Sequence, residues 1–245
     1  MDKFIELKKY RYAHRGYHDK PTIPENSMAA FKRAKEHGWG AELDIHLMKD
    51  GNLGVIHDAS LKRTANEDVF IEDLTLEDLP KYKLEESDEI IPLFEEVLSL
   101  KLPLIVELKV ERGNYNELSE AAWERLKDYD APWCMESFDP RAVLWFKKHH
   151  PEVCRGQLSQ DFYKDGEVGT SGFQKFILTN LYFNILSKPD FVAFNFADRD
   201  CPALQKYLKR GGQEVSWTIR DKESLLKAES FGSMPIFEKF DPDKE

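Results

Sequence analysis

Short apolar stretches of strand character alternate with amphipathic helical stretches along the whole chain, and this rhythm constrains the fold more than any other feature. Strands are predicted at residues 10–14, 41–48, 53–57, 104–110, 133–138, 154–159, 191–196 and 215–219. Helices are predicted at 24–37, 91–98, 115–126, 140–149, 175–186, 203–208 and 222–228. The first carries Met28, Ala29, Ala30, Phe31 and Ala34 on one stripe and stops at Gly38. Strand–helix alternation implies a parallel sheet covered by helices. Eight such units in 245 residues match an α/β chain folded as a (β/α)8 TIM barrel. A doubly wound open sheet is the alternative, but no glycine-rich phosphate loop follows the first strand. Residues 59–90 are charged, with little apolar periodicity beyond Leu74, Leu76 and Leu79, and read as a small insertion after strand three lying over one end of the barrel. The expectation is one barrel domain over residues 1–245 with 59–90 inside it.

Charge then narrows the partners. Thirty-five lysines and arginines against 45 carboxylates leave a net charge of −10 and no basic block, so nucleic acid is not an expected partner. No apolar run approaches the ~20 residues of a membrane span, and the N-terminal stretch lacks a continuous signal-peptide core. Cys134, Cys154 and Cys201 are odd in number and lack metal-ligand spacing, which suits reduced thiols in a cytoplasmic protein.

In such a barrel the reactive side chains collect at the C-terminal ends of the strands. Strand one ends at His14-Arg15-Gly16 and strand three at His57-Asp58. Strand two carries Glu42 and Asp44, and strand four carries Glu107 and Lys109; each pair is two residues apart and so shares a face. One strand histidine alone is an ordinary core residue, and Glu107 with Lys109 alone could be an internal ion pair. Buried pairs, however, rarely stabilise a fold on balance. Three carboxylates facing one another need a cation. Glu42, Asp44 and Glu107 offer the all-oxygen set preferred by Mg²⁺ or Ca²⁺. With Arg15 and Lys109 beside that ion the pocket would hold an anion, and two flanking histidines supply acid and base near neutral pH. Metal-assisted phosphodiester cleavage follows from this set.

The same residues carry a resemblance. Ala13-His14-Arg15-Gly16, Pro24-Glu25-Asn26-Ser27, Glu42-Leu43-Asp44, His57-Asp58 with Leu61, Arg63 and Thr64, Ile91-Pro92-Leu93-Phe94-Glu95-Glu96-Val97-Leu98 and Glu107-Leu108-Lys109 follow in this order. Together they resemble the glycerophosphodiester phosphodiesterases, and Ser137-Phe138-Asp139-Pro140 and Trp217-Thr218 extend the match more loosely. The resemblance implies a TIM barrel that hydrolyses glycerophosphodiesters to an alcohol and glycerol 3-phosphate. It also implies an acid–base pair of His14 and His57, a metal on Glu42, Asp44 and Glu107, and phosphoryl contacts from Arg15 and Lys109. His14 is assigned as base and His57 as leaving-group acid, with the reverse as the alternative. Glu25 and Asn26 resemble supporting residues, while Asn26 or Ser27 also suits a helix cap.

In the second half, Glu136, Asn195 and Trp217 are expected to line the pocket. The chain departs from the family pattern at Ile219-Arg220 and at Pro235-Ile236-Phe237-Glu238-Lys239-Phe240, which leaves the head group open. The expected partner is a small-molecule phosphodiester, with no stable membrane association, for a monomer or weak homodimer. A lipid substrate would call for an exposed apolar rim, and the excursion 59–90 offers only Phe70, Ile71 and Leu74 among many acids. The competing readings are a lysophospholipase-D-like lipid phosphodiesterase and a non-catalytic phosphodiester-binding barrel.

Overall fold

The computed structural model describes residues 3–164 and 171–244. Its strands in chain order are β1 (Tyr12–Ala13), β2 (Gly40–Leu47), β3 (Leu53–Val55), β4 (Leu104–Leu108), β5 (Trp133–Ser137), β6 (Arg155–Ser159), β7 (Phe191–Asn195), β8 (Gln213–Ile219) and β9 (Met234–Phe237). Eight of them run parallel in the ring β1-β2-β4-β5-β6-β7-β8-β9, which closes because β1 pairs with both β2 and β9. The chain is a (β/α)8 barrel.

Its eight members are not the eight read from the pattern. Residues 53–57 do not contribute a barrel strand: β3 folds back antiparallel on β2, pairing Ile45 with Val55. Only residues 48–52 connect the two, too few for the crossover that a parallel neighbour requires. The missing member is β9, whose Pro235 carries no N–H and whose pairing with β8 shifts register between Ser216 and Ile219. The insertion therefore follows the third strand in chain order, and that strand stands outside the ring. The excursion has a core of its own in Met48, Ile56, Leu61, Ile71, Leu74, Leu79, Leu84 and Ile91. Irregular backbone carries that core, including a turn of helix at Lys62–Ala65 and 3-10 turns at Ile71–Asp73 and Leu79–Lys81, so no period betrays it.

Alternation along each strand separates two layers. Leu43, Ile45, Leu104, Val106 and Met135 face outward, against the helices Met28–Glu36, Tyr115–Leu126 and Pro140–His149. Tyr12, Ile105, Cys134, Leu158, Phe191, Val215 and Ile236 fill the interior. Phe4 and Leu7 of the helix Lys3–Leu7 join that interior, with Phe4 stacked 5.2 Å from Phe191. Phe191 takes the space next to Gly156, where an added Cβ would stand 2.1 Å from its ring. The helix expected at 175–186 divides into Gly172–Thr179 and Asn184–Ser187, separated by Leu181 at φ +56°. Among the described residues no helix is long and apolar enough to cross a membrane.

Candidate active site

The strand registers set the site. Asp44 lies level with Glu107, and Glu107 with Glu136, so three adjacent strands place three carboxylates in one lateral row at the mouth of the barrel. Glu42 lies one inward step below Asp44, and all four side chains are buried. Ligand oxygens of Glu42, Asp44 and Glu107 lie within 4.8 Å of one another. Burial first, then the charges of Asp44, Glu107 and Glu136, push the Glu42 carboxyl well above its ordinary range. Burial also raises Glu107 and Glu136, against the pull of Lys109. Asp44 goes the other way: Lys109, His57 and Arg15 outweigh its burial and hold it well below the usual range. One Oε2 of Glu136 is buried with no hydrogen-bond partner. This donor set is all oxygen and crowded with like charge, which fits a hard divalent cation.

Two cations close the patch. The backbone reverses after β1, with Arg15 at φ +54° and Gly16 at φ +76°; an added Cβ on Gly16 would meet Ala30 at 2.9 Å. That turn lets the Arg15 N–H donate to Glu42 at 3.0 Å while its guanidinium donates to Glu25 at 2.9 Å and stands 3.5 Å from Asp44. The Lys109 ammonium meets Glu107 at 2.7 Å and Asp44 at 2.9 Å. Ser27 caps the helix Met28–Glu36 through Ala30 N–H, which leaves the Asn26 amide free to donate to Asp44 at 2.8 Å.

His14 and His57 each have Nδ1 tethered to a carboxylate. His14 Nδ1 is 2.8 Å from Glu238 Oε2, and His14 Nε2 stands 3.9 Å from Glu42. Burial lowers the His14 pKa to about 4 against the opposing pull of Glu238, so the ring is neutral near pH 7. Hydrogen bonds from His14, His18 and Arg220 outweigh burial and keep Glu238 ionised, so Nδ1 carries the proton and Nε2 the lone pair. On the far side His57 Nδ1 meets Asp58 at 2.5 Å, Asp58 accepts from Arg63 at 2.6 Å, and Arg63 donates on to Glu25. His46 braces this arm, with Nδ1 2.7 Å from Glu72 and Nε2 3.1 Å from the His57 carbonyl.

His14, Arg15, Glu42, His57, Glu107, Glu136 and Trp217 line one cavity of about 50 Å³. Lys109 lies beside it, on the wall of a larger cleft of about 660 Å³ that runs from Glu107, Lys109 and Phe138 to Phe173, Ile177, Leu178 and Phe183. A polar cleft of about 470 Å³ opens on the His14 side between Lys20, Arg63 and Arg220. Asn195, expected in the pocket, is not among the residues lining any of the three; it has the inward parity of its strand, but its side chain accepts from Ala197 N–H at 3.0 Å and caps a 3-10 turn. Glu238 escaped the sequence reading as a site residue, as did the His46–Glu72 pair. Counting 234–237 as a strand would have placed Glu238 inward at the mouth, two residues beyond Ile236.

The model of the glycerophosphoryl diester phosphodiesterase family matches residues 14–238. The chain belongs to this family. It is 32% identical over 239 residues to the glycerophosphodiester phosphodiesterase of Caldanaerobacter subterraneus subsp. tengcongensis, covering 91% of each chain. Over a shorter stretch of 120 residues, 43% of this chain and 37% of the other, it is 37% identical to a lysophospholipase D of Rattus norvegicus. In fold it resembles an Oleispira antarctica phosphodiesterase in complex with the product sn-glycerol-3-phosphate, with a TM-score of 0.75, 24% identity and coverage of 94% and 92%. The glycerophosphodiester phosphodiesterase of Thermotoga maritima superposes with a TM-score of 0.69 at 25% identity over 94% and 93%. As a member of the glycerophosphoryl diester phosphodiesterases the chain is an enzyme, a phosphoric diester hydrolase.

Proposed function

We propose that the chain hydrolyses glycerophosphodiesters to an alcohol and glycerol 3-phosphate by histidine acid–base catalysis at a divalent cation, Mg²⁺ or Ca²⁺, held by Glu42, Asp44 and Glu107. One observation carries the reading. Two histidines tethered through Nδ1 line the same cavity as Glu42 and Glu107 and lie on either side of the carboxylate cluster. The cation, when bound, would neutralise phosphoryl oxygens and polarise the phosphorus toward attack. Arg15 and Lys109 hold the remaining phosphoryl charge from opposite sides of Asp44. His14, neutral and with its lone pair on Nε2, takes a proton from the attacking water, and the ionised Glu238 supports the imidazolium that forms. His57, fixed by Asp58, donates from Nε2 to the leaving alcohol oxygen. Glu136 and Trp217 complete the wall. The buried free thiols Cys134 and Cys154 support a cytoplasmic protein, read here as a single barrel domain that is a monomer or weak homodimer.

The test is release of glycerol 3-phosphate from glycerophosphocholine and glycerophosphoethanolamine with Mg²⁺, with Ca²⁺ and with chelator. Release that chelation abolishes is expected, and turnover indifferent to chelator would overturn the cation's place in the mechanism. The apolar wall of the larger cleft, with Phe138, Phe162, Phe173 and Ile177, favours a second reading in which the leaving alcohol carries an acyl chain. Lysophosphatidylcholine tested in parallel separates the two.

A further inference from the structure

Five of the eleven large apolar side chains exposed among the described residues fall within residues 173–186. Phe173 and Ile185 are each 72% exposed, and Phe176, Tyr182 and Leu186 about half. The helix Gly172–Thr179 buries only Thr179, so its apolar residues are not explained by a core. Phe176 and Tyr182 hold their rings 5.4 Å apart, joining the two short helices. Such a concentration on one rim marks an interaction site. Residues 171–189 contain no acid and two lysines, Lys175 and Lys188, in a chain of net charge −10. The rim is continuous with the larger cleft, whose outer wall is Phe173 and Ile177 and whose inner end is Glu107 and Lys109.

We propose that this rim docks reversibly on a phospholipid bilayer, with Phe173, Phe176, Ile185 and Leu186 in the headgroup region and Lys175 and Lys188 against lipid phosphates. Five exposed apolar side chains are few beside the ~20–30 residues a side of a stable protein interface, while shallow apolar insertion beside basic residues suffices for interfacial binding. Charge agrees, since a stretch with two lysines and no acid is not repelled by an anionic headgroup layer. The expectation of no stable membrane association drew on the excursion 59–90, where Ile71 and Leu74 are in fact buried. The apolar rim lies elsewhere. The docking rests on the phosphodiesterase reading only in its consequence: an amphiphile leaving the bilayer enters the cleft phosphodiester-first, reaching Lys109 at the inner end while its chain stays on the apolar outer wall.

The test uses the whole protein and vesicles of phosphatidylcholine, with and without phosphatidylglycerol, read by co-sedimentation. The parent is expected to bind, more tightly with phosphatidylglycerol. Phe176→Ser combined with Ile185→Ser, neither of which lines the cleft, should weaken binding about tenfold or more while glycerophosphocholine turnover stays intact. Lys175→Glu should remove the gain from phosphatidylglycerol. A parent that turns over glycerophosphocholine yet stays in the supernatant overturns the docking, as does equal binding by the double variant. A parent that binds vesicles but hydrolyses nothing leaves the docking and overturns the reading of the site. A lipid-free dimer that the double variant splits would give the rim to a second copy of the chain and overturn the proposal.

Discussion

Glu238→Gln isolates the charge behind the proposed base. The carboxylate lies 2.8 Å from His14 Nδ1 and is itself held by Arg220 at 2.7 Å, so the amide preserves shape and removes only charge and proton preference. A unit charge pair ~4 Å apart interacts by about 4 kcal/mol at an effective dielectric of 20. The imidazolium is partly formed in the transition state and His14 keeps a little solvent contact, so roughly half of that, about 2 kcal/mol, is expected as lost stabilisation, or ~30-fold in kcat. The amide can also turn its NH2 toward Nδ1 and favour the wrong tautomer, which would add to the loss. Meanwhile Glu238 raises the His14 pKa against burial, so its removal should move the acid limb of kcat/KM to lower pH than in the parent. Steady-state kinetics on glycerophosphocholine across pH, with circular dichroism to confirm the fold, measure both. A kcat within a factor of ~3 of the parent, or an acid limb that moves upward, would refute the reasoning.

His14→Ala and His57→Ala should each cost ~10²–10⁴ in turnover with the fold retained, and near-parental activity in either would remove that residue from acid–base work. Glu42→Gln and Asp44→Asn should raise the Mg²⁺ or Ca²⁺ concentration for half-maximal activity by roughly tenfold or more; an unchanged requirement would take that residue out of the ligand set. Gly156→Ala drives a methyl into the Phe191 ring and should cost about 1–3 kcal/mol, read as a fall in Tm of ~2–4 °C per kcal/mol. An unchanged Tm would show that the interior can yield there.

Residues that depend on local period were legible before any coordinates. Glu42 and Asp44 share a face because strand side chains alternate, and Glu107 with Lys109 repeats the device, so each pair could be placed on one face from spacing alone. What spacing does not contain is register between strands far apart in the chain. The level row Asp44, Glu107, Glu136 follows from how β4 and β5 slide against β2 when the barrel closes, and that made Glu136 an open position. The exchange of β3 for β9 has a local cause on each side. A five-residue link forces a hairpin, and Pro235 weakens a strand signal that burial then supplies. Asn195 shows a different local competition. Its parity was right, but a nearby backbone N–H competes for a short amide side chain, and the near partner won.

The carboxylate row also sets how stability answers to pH, and a bound cation should reverse that answer. Glu42, Glu107 and Glu136 have folded pKa values raised by burial, so without a cation the fold holds protons there that the unfolded chain releases. That contribution is intact below the ordinary glutamate value near 4.5 and is lost as pH rises toward the folded values. His14 acts in the opposite sense: lowered to about 4, it penalises the fold increasingly as pH falls from 6.5. Between pH 4.5 and 6.5 three groups therefore weaken the chelated protein as pH rises while one strengthens it. The net from these groups is a stability that declines as pH rises. A cation on Glu42, Asp44 and Glu107 binds only the ionised carboxylates, so its stabilisation grows with pH over the same interval. Thermal denaturation in chelator should thus show Tm falling from pH 4.5 to 6.5, and the gap to the Mg²⁺- or Ca²⁺-loaded protein should widen. A chelated protein whose Tm rises through that interval, with no gap opening on adding either ion, would mean that Arg15 and Lys109 already neutralise the row and that the carboxylates are a structural ion-pair network.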